Sequence, residues 1–211
     1  MSNSPSQKGR RGRGEDTKEA ILQAALRLFA QRGYDSTTTR MIAQEAGVAE
    51  GTIYIHFPSK RHLLFALLGQ ASLPVLKDIL SASQETNDRE VLRSLFRDRI
   101  RFGERYADLL RALLPQAMHD EQVAEQLMQE VIRPAASMVK EYLSRRIQEG
   151  AFREVPVEIA ARMLVGALWM TILFDHLLAC SDETKEQILP RHSAEEYAEV
   201  FANLLLEGIR R

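Results

Sequence analysis

The sequence has a single cysteine, Cys180, among its 211 residues. One cysteine cannot form an intrachain disulfide, so the chain is not a disulfide scaffold and it suits a reducing compartment. Long apolar runs are missing too: the longest, Met163–Phe174, has twelve residues, whereas a helix needs about 20 to cross a bilayer. The charged N-terminus has no apolar segment of the signal-peptide kind. We therefore expect a cytoplasmic protein with no membrane partner.

The signatures of common catalytic centres are also missing. The sequence has no HExxH pair, no glycine-rich phosphate loop and no nucleophile elbow. His176 and Cys180 are four residues apart and could share a metal ion, but no third ligand is placed beside them, so a buried structural pair is the simpler interpretation. His119, Asp120 and Glu121 are typical of the acidic start of a helix. We predict no catalytic residue, metal or cofactor.

Alternation of the β-strand kind is absent beyond Leu63, whereas helical periodicity recurs along the chain. The first clear helix is predicted from Asp16 to Arg32, and Gly33 follows it as a C-cap glycine would. Its apolar residues recur at i, i+3, i+4, i+7 and i+8: Ile21, Ala24, Ala25, Leu28 and Phe29. The sequence predicts an all-α protein of about nine helices.

Charge is distributed unevenly. Residues 1–63 contain ten Lys and Arg and six Asp and Glu, a net +4, while the remainder sums to −5. Chance can produce this asymmetry, but it is also typical of a nucleic-acid-binding module joined to another domain. Residues 1–14 are rich in Ser, Pro, Gly and basic residues, which predicts a disordered arm. Its Arg10, Arg11 and Arg13 could reach a DNA minor groove or serve only for solubility.

Two short helices joined by a glycine turn are predicted between Thr38 and Phe57, the arrangement of a helix-turn-helix. In the second helix Thr52, Tyr54 and His56 offer hydrogen-bonding groups to phosphates, and Gly51 lets the backbone approach DNA closely. Ile53 and Phe57 would pack inward, and Lys60 could meet a flanking phosphate. An ordinary helical corner is the alternative, since such patterns are weak by themselves.

The segment 37–64 resembles the DNA-binding segment of the tetracycline-repressor (TetR) family. The shared features are Thr-Thr-x-Arg-x-Ile-Ala from Thr37, Ala46-Gly47-Val48, Gly51-Thr52-x-Tyr54 and Phe57-x-Ser59-Lys60. The resemblance implies operator contacts from Thr38, Thr39, Arg40, Glu50, Gly51, Thr52, Tyr54, His56 and Lys60. Ala49 departs from the family pattern, in which many members have a Ser or Thr that caps the second helix; alanine cannot form this cap. Glu50 therefore either accepts from a cytosine amino group or only stabilises the helix start.

The resemblance further implies a homodimeric repressor on a palindromic double-stranded DNA operator, whose half-sites lie about 34–36 Å apart. Residues 15–62 would form the DNA-binding domain, a helix from residue 60 the connector, and residues 63–211 the effector-binding and dimerisation domain. In such proteins a small effector changes the spacing of the two recognition helices.

The effector is expected to be small and hydrophobic, because flexible methionines in the middle helices suit an adaptable apolar cavity. The recognition segment also resembles the fatty-acyl-CoA-responsive branch of the family, which makes a long-chain acyl-CoA a candidate. Ordinary core packing explains the same residues equally well. The candidate ligand-binding residues are Phe96, Phe102, Tyr106, Leu110, Met118, Met128, Met138, Trp169 and Phe174.

The last two predicted helices, residues 157–180 and 194–209, are candidates for the dimer face. Ala160, Leu164, Ala167 and Leu168 form one stripe, and Val200, Phe201, Leu204 and Leu205 form another. Two helices from each subunit would make a four-helix bundle, unless these stripes serve the intrachain core. The alternative function is a helical enzyme or small-molecule carrier without DNA binding.

Overall fold

The computed structural model describes residues 6–82, 87–178 and 192–209 together with positions 181, 183, 187, 188 and 190, and it describes side chains from Gly14 onward. Every regular element in these residues is helical, which confirms the predicted all-α class. The chain divides into two compact units, Met1–Leu68 and Gly69–Arg211. This division falls six residues after the boundary expected from sequence.

The N-terminal unit contains helices α1 (Ser6–Arg32), α2 (Thr39–Ala46) and α3 (Glu50–His56) and the first residues of α4 (Lys60–Ser81). The apolar stripe of α1 is buried as predicted, with Ile21, Ala24 and Ala25 completely inaccessible. The helix ends at Gly33, whose φ of +78° is a conformation that favours glycine. Burial of this stripe stabilises the helix, because apolar side chains leave water when α1 packs in the unit.

The start of α1 differs from the prediction. The backbone is already helical at Ser6, so a disordered arm through Gly14 is not what the structure shows. No proline lies between Pro5 and Pro58, and the Lys, Arg and Gln residues near the glycines are good helix formers. The side chains of Arg10, Arg11 and Arg13 lie outside the described part of the chain.

The C-terminal unit is a bundle of helices around one apolar core. Its core includes Leu92, Phe96 and Ile100 of the fifth helix and Ala198 and Ala202 of the last one. The helices are the rest of α4, then α5 (Asp88–Arg105), α6 (Ala107–His119), α7 (Glu121–Leu127), α8 (Arg133–Gln148), α9 (Val157–Ile172) and α10 (Ala194–Ile209). Five-residue π-helical segments, Met128–Ile132 and Leu173–Leu177, follow α7 and α9.

Close packing of α5 against α9 depends on Gly103. A Cβ atom at this position would lie 2.6 Å from Cγ1 and 2.8 Å from Cγ2 of Ile172, which is well inside ordinary contact distance. Ile172 is itself buried. Glycine therefore sets how closely these two helices approach.

Two prolines behave differently from one another. Pro115 lies inside α6. It is exposed, as is Arg111 one turn earlier, so water can satisfy the carbonyl that loses its backbone partner. Pro134 lies in the first turn of α8, directly after a π-helical segment. The α-helical geometry is therefore interrupted just before that proline.

Two helical segments, Lys60–Ser81 and Val157–Leu177, are long and apolar enough to cross a membrane by length and composition alone. Half of the apolar window in Lys60–Ser81 is buried inside the protein, whereas only 22% of the window in Val157–Leu177 is buried. A core helix passes this composition test as easily as a membrane span does. Much of the apolar surface of α9 is therefore exposed in this structure.

Polar interactions stabilise the N-terminal ends of α10 and α5. Ser193 and Glu196 form a capping box at α10: Ser193 N donates to Glu196 Oε2 at 2.8 Å, and Glu196 N donates to Ser193 Oγ at 3.2 Å. At the start of α5, Asp88 accepts from Tyr142 Oη at 2.8 Å and from Arg146 Nε and Nη2 at 2.7 Å each. Burial and this hydrogen bond raise the pKa of Tyr142.

Candidate nucleic-acid interface and ligand cavity

The turn between α2 and α3 has the local geometry of a helix-turn-helix. Thr38 caps α2 by accepting from Met41 N at 3.2 Å, as its position predicts. Gly47 ends α2 with φ +68°, and Val48 N donates to Ala43 O at 3.0 Å. This closing motif leaves only Val48 and Ala49 between the turn and the first residue of α3.

The two faces of α3 differ in polarity. Ile53 is fully buried, and Phe57 just after the helix is 3% exposed, which confirms that both pack inward with Ile42 and Ala43 of α2. The opposite face presents the polar residues to solvent: Tyr54 is half exposed and Thr52 and His56 are intermediate. Gly51, Glu50 and Arg40 are exposed. The residues expected to meet DNA therefore lie on the outer surface of the unit.

A hydrogen-bond network joins α2 to the outer face of α3. Thr39 Oγ1 donates to Glu50 Oε1 at 2.8 Å. Because the single hydroxyl proton of Thr39 is used there, Tyr54 Oη donates to Thr39 Oγ1 at 3.0 Å. Sequence reasoning placed these three residues near DNA but did not find that they bind one another, because positions eleven and fifteen apart show no local pattern.

This network bears on the open question about Glu50. Ala49 at the N-cap makes no side-chain hydrogen bond to α3, as expected for alanine. Glu50 lies in the first turn, where a carboxylate is favourable to the helix dipole, and Thr39 holds one of its oxygens. The Glu50 carboxylate therefore links the start of α3 to α2 in this structure.

Lys60 makes contacts that the sequence did not predict. Its Nζ donates to the carbonyl oxygens of Tyr34 and Thr37 at 2.9 Å each, and it lies 4.2 Å from the centre of the Tyr34 ring. Burial lowers the pKa of this ammonium group. Two of its three donors therefore fix the turn between α1 and α2, which leaves one for a phosphate.

An apolar cavity of about 80 Å³ lies inside the C-terminal unit, between α4, α5, α6, α8, α9 and the π-helical segment before α8. Of the candidate ligand-binding residues, Phe102, Leu110 and Trp169 line it, and Tyr106 packs on Phe102 with ring centres 4.7 Å apart. Functional pockets for small molecules are commonly about 300–1,000 Å³. A large ligand must therefore expand this cavity.

The remaining candidates lie elsewhere. Phe96 and Met138 belong to the main core or pack against it, while Met118 is 80% exposed, Met128 52% and Phe174 38%. The expectation that Met118 and Met128 line the cavity is therefore wrong for this structure. Both are apolar residues of amphipathic helices whose outward position is set by tertiary packing, which composition does not show.

Two polar residues, Ser72 and Arg99, also line the cavity, and sequence reasoning missed both. Arg99 Nη1 donates to Ser72 Oγ, Nη2 donates to Ser72 O at 3.3 Å, and Nε donates to Asp98 at 2.8 Å. The guanidinium group lies 5.2 Å from the Phe102 ring centre. The available signal was an arginine that continues the apolar stripe of Leu95 and Phe96 on α5.

The exposed apolar face of the C-terminal unit lies on α9 and α10. Ile159 and Met163 of α9 are 59% and 70% exposed, and Val200 and Leu204 of α10 are 55% and 63% exposed. The stripe expected on α9 is wrong in part, because Leu164 and Leu168 are buried in the intrachain core. The outward face of α9 instead contains Ile159 and Met163, which each precede a residue of the expected stripe, Ala160 and Leu164, by one position.

Within the described ranges, no three His, Cys, Asp or Glu side chains are grouped so that they could hold a metal ion. His176 Nε2 lies 4.0 Å from Glu104 Oε1. Cys180, the other half of the suggested pair, lies outside the described residues.

Comparisons with known proteins agree with this architecture. Residues 21–67 match the profile of bacterial regulatory proteins of the tetR family, and residues 86–189 match that of the tetracyclin repressor-like C-terminal domain. The chain is 29% identical over 182 residues to YdeS of Bacillus subtilis, an HTH-type transcriptional regulator, covering 83% of this chain and 85% of YdeS. A local match to YuxN of the same species, 44% over 54 residues, covers 26% of this chain and only 19% of YuxN.

One solved structure is similar to the chain in both fold and sequence. It is FadR of Thermus thermophilus, described as a TetR-family transcriptional repressor in complex with lauroyl-CoA. The two are 26% identical, with a TM-score of 0.68 over 90% of this chain and 94% of FadR. Because both domain profiles match and α2 and α3 form a helix-turn-helix, the chain belongs to the TetR family of DNA-binding transcriptional regulators.

Proposed function

We propose that the chain is a cytoplasmic homodimeric repressor that binds a palindromic double-stranded DNA operator and leaves it when a small hydrophobic effector binds. The observation that supports DNA binding best is the two-sided character of α3. Its apolar residue Ile53 is buried, while Thr52, Tyr54 and His56 are accessible beside Arg40 of α2. The net charge of +4 in residues 1–63 favours a polyanionic partner.

The contact residues divide by chemistry. Thr38, Thr52, His56 and Lys60 can donate to phosphate oxygens, which positions the protein without reading sequence. Thr39 and Tyr54 can do the same once their hydroxyl protons leave Glu50 and Thr39 for the DNA. Arg40 can bind either a phosphate or a guanine edge. Arg10, Arg11 and Arg13 add positive charge at the start of α1. Glu50 supports this surface through Thr39 rather than by facing the backbone, since its charge would repel phosphates.

The direct test is fluorescence anisotropy at several salt concentrations, with a DNA duplex taken from the region upstream of the gene that encodes the chain. Tyr54→Phe should weaken binding to all sequences alike, because a lost backbone contact changes no base preference. Lys60→Ala should weaken DNA binding as well. The melting temperature of this variant is measured alongside, because Lys60 also fixes the turn before α2. No rise in anisotropy at low salt would instead favour a helical enzyme or ligand carrier without DNA binding.

The proposed effector is a long-chain acyl-CoA. The cavity wall is almost entirely apolar, which suits an acyl chain, and the similar FadR of Thermus thermophilus was solved with lauroyl-CoA. Arg99 places a cationic side chain at the cavity wall. Its guanidinium group is hydrogen-bonded to Ser72 and paired with Asp98. Because α4 contains both Ser72 and Lys60, a change at the cavity wall acts on a helix that also belongs to the N-terminal unit.

Trp169 provides the assay for this effector. It is the only tryptophan of the chain and lines the cavity, so its fluorescence should change as an acyl chain enters. Titration with acyl-CoAs of increasing chain length should give a saturable change and should release the operator at the same concentrations. Coenzyme A without an acyl chain is the matched control. No change with any chain length removes the acyl-CoA assignment and leaves DNA binding intact.

The homodimer is proposed to form through α9 and α10. Ile159, Met163, Val200 and Leu204 make an exposed apolar face of the kind that marks an interaction surface, and two helices from each subunit can close into a four-helix bundle. A twofold partner also gives the protein the symmetry of a palindromic operator. Analytical ultracentrifugation should show a dimer for the wild type and a monomer for Met163→Glu.

A further inference from the structure

One apolar side chain on the outer face of α3 is not among the proposed DNA contacts. Ile55 is 80% exposed, more than any other isoleucine in the described residues, and it lies on the helix proposed to enter the major groove. Single exposed apolar residues are common on protein surfaces and need no explanation by themselves. The position of Ile55 among its neighbours is what distinguishes it.

Helical geometry places Ile55 at the centre of the outward face. It is two residues after the buried Ile53, so the two side chains point about 160° apart around the axis. Gly51 is one turn earlier on the same face as Ile55, and a Cβ atom at Gly51 would meet no atom within 4 Å. Side chains on a helix lean toward its N-terminus, so Ile55 extends over the bare backbone at Gly51.

The other outward-facing groups of α3 leave apolar contact with base edges to Ile55. Thr52, Tyr54 and His56 flank it with groups suited to phosphates, which specify no sequence. Glu50 already accepts from Thr39, and Gly51 has no side chain. An isoleucine has neither donor nor acceptor, and the one apolar group on base edges in the major groove is the 5-methyl group of thymine.

We propose that Ile55 is a specificity-determining residue that reads a thymine methyl group in each operator half-site. This inference rests on the proposed DNA binding and deepens it by assigning a base preference to one side chain. Without a side chain at Gly51, the start of α3 can lie close to the groove floor, and this approach brings Ile55 within contact distance of the base edges.

The experiment removes the methyl group from the DNA and the side chain from the protein in turn. A preferred duplex is first selected from a random pool with the full-length wild-type protein. Each thymidine of one half-site is then replaced singly by deoxyuridine, which differs only by the missing methyl group, and dissociation constants are measured by anisotropy at fixed salt. For the wild type, one position should weaken binding roughly fourfold, and the symmetric double replacement roughly 15-fold.

The variant Ile55→Ala should bind the thymidine duplex more weakly than the wild type and should no longer distinguish it from the deoxyuridine duplex. Thr52→Ala is the matched control on the same helix: it should weaken binding to both duplexes by one common factor and keep the preference for thymidine. Melting temperatures of both variants should equal that of the wild type, since neither side chain is buried in the core.

The outcomes separate the two levels of the proposal. If the wild type selects no duplex at all, DNA binding itself is wrong. If it binds but tolerates every deoxyuridine replacement, or if Ile55→Ala retains the wild-type ratio between the two duplexes, then Ile55 does not read a methyl group, and the inference is overturned while DNA binding stands.

Discussion

Gly103→Ala tests whether the contact between α5 and α9 is as close as described. The new Cβ atom would lie 2.6, 2.8 and 2.9 Å from three side-chain carbons of Ile172. Two of these carbons are attached directly to Cβ of Ile172, which is buried, so rotation cannot remove them all. Overpacking of this kind costs roughly 2–3 kcal/mol.

The helix propensity of alanine over glycine returns about 1 kcal/mol, so the variant should lose about 1–2 kcal/mol of unfolding free energy. Urea unfolding followed by circular dichroism at one fixed protein concentration measures this, because a dimer makes apparent stability depend on concentration. Gly69→Ala is the matched control. Its Cβ atom would lie 3.5 Å from Glu130 O, an ordinary contact, so it should be neutral or stabilising.

A second variant checks the cause. Ile172→Ala alone should be destabilising through the cavity it leaves, but in the Gly103→Ala background the same change also removes the clash. The double variant should therefore be at least about 1 kcal/mol more stable than the two single losses predict. Additive losses, or a Gly103→Ala protein as stable as Gly69→Ala, would show that α5 and α9 are not in contact here.

Two further predictions concern the polar networks. Thr39→Val should change the unfolding free energy by less than about 1 kcal/mol, because its bonds to Glu50 and Tyr54 are exposed. The same variant should weaken operator binding severalfold in anisotropy. Thr171→Val, which loses only a bond to its own helix, is the control and should leave the operator affinity unchanged. Asp88→Asn should cost about 2–3 kcal/mol in urea unfolding, since it breaks a largely buried pair with Arg146. The equivalent Asp108→Asn removes an exposed pair and should cost less than about 0.5 kcal/mol, and equal losses for the two would contradict the burial argument.

The sequence predicted well those features that depend on local rules. The Thr38 cap, the glycine ends at Gly33 and Gly47 and the Ser193 capping box each follow from a residue type at a fixed offset. The inward position of Ile53 and Phe57 follows from helical periodicity. The α2–turn–α3 arrangement could therefore be placed to within a residue or two before any coordinates were known.

Features that depend on tertiary packing were not predictable in the same way. Ser72 and Arg99 meet at the cavity across 27 positions, and Lys60 reaches the carbonyl of Tyr34 across 26. Met118 and Leu164 are both apolar residues of amphipathic helices, yet one is exposed and the other buried. Periodicity fixes which residues share a face, but only the arrangement of neighbouring helices decides which face is covered.

The proposal that the outer face of α2 and α3 binds duplex phosphates is tested most directly by charge reversal at Arg40. Arg40 is exposed on α2, so Arg40→Glu should leave folding and dimer mass unchanged while raising the operator dissociation constant at least about 100-fold at low salt, because both subunits lose an attraction and gain a repulsion. Lys77→Glu makes the same charge change on an exposed residue of α4 and should alter the constant less than about threefold. Equal effects of the two variants, or an Arg40→Glu protein that binds the operator as tightly as the wild type, would contradict the assignment of this face to DNA.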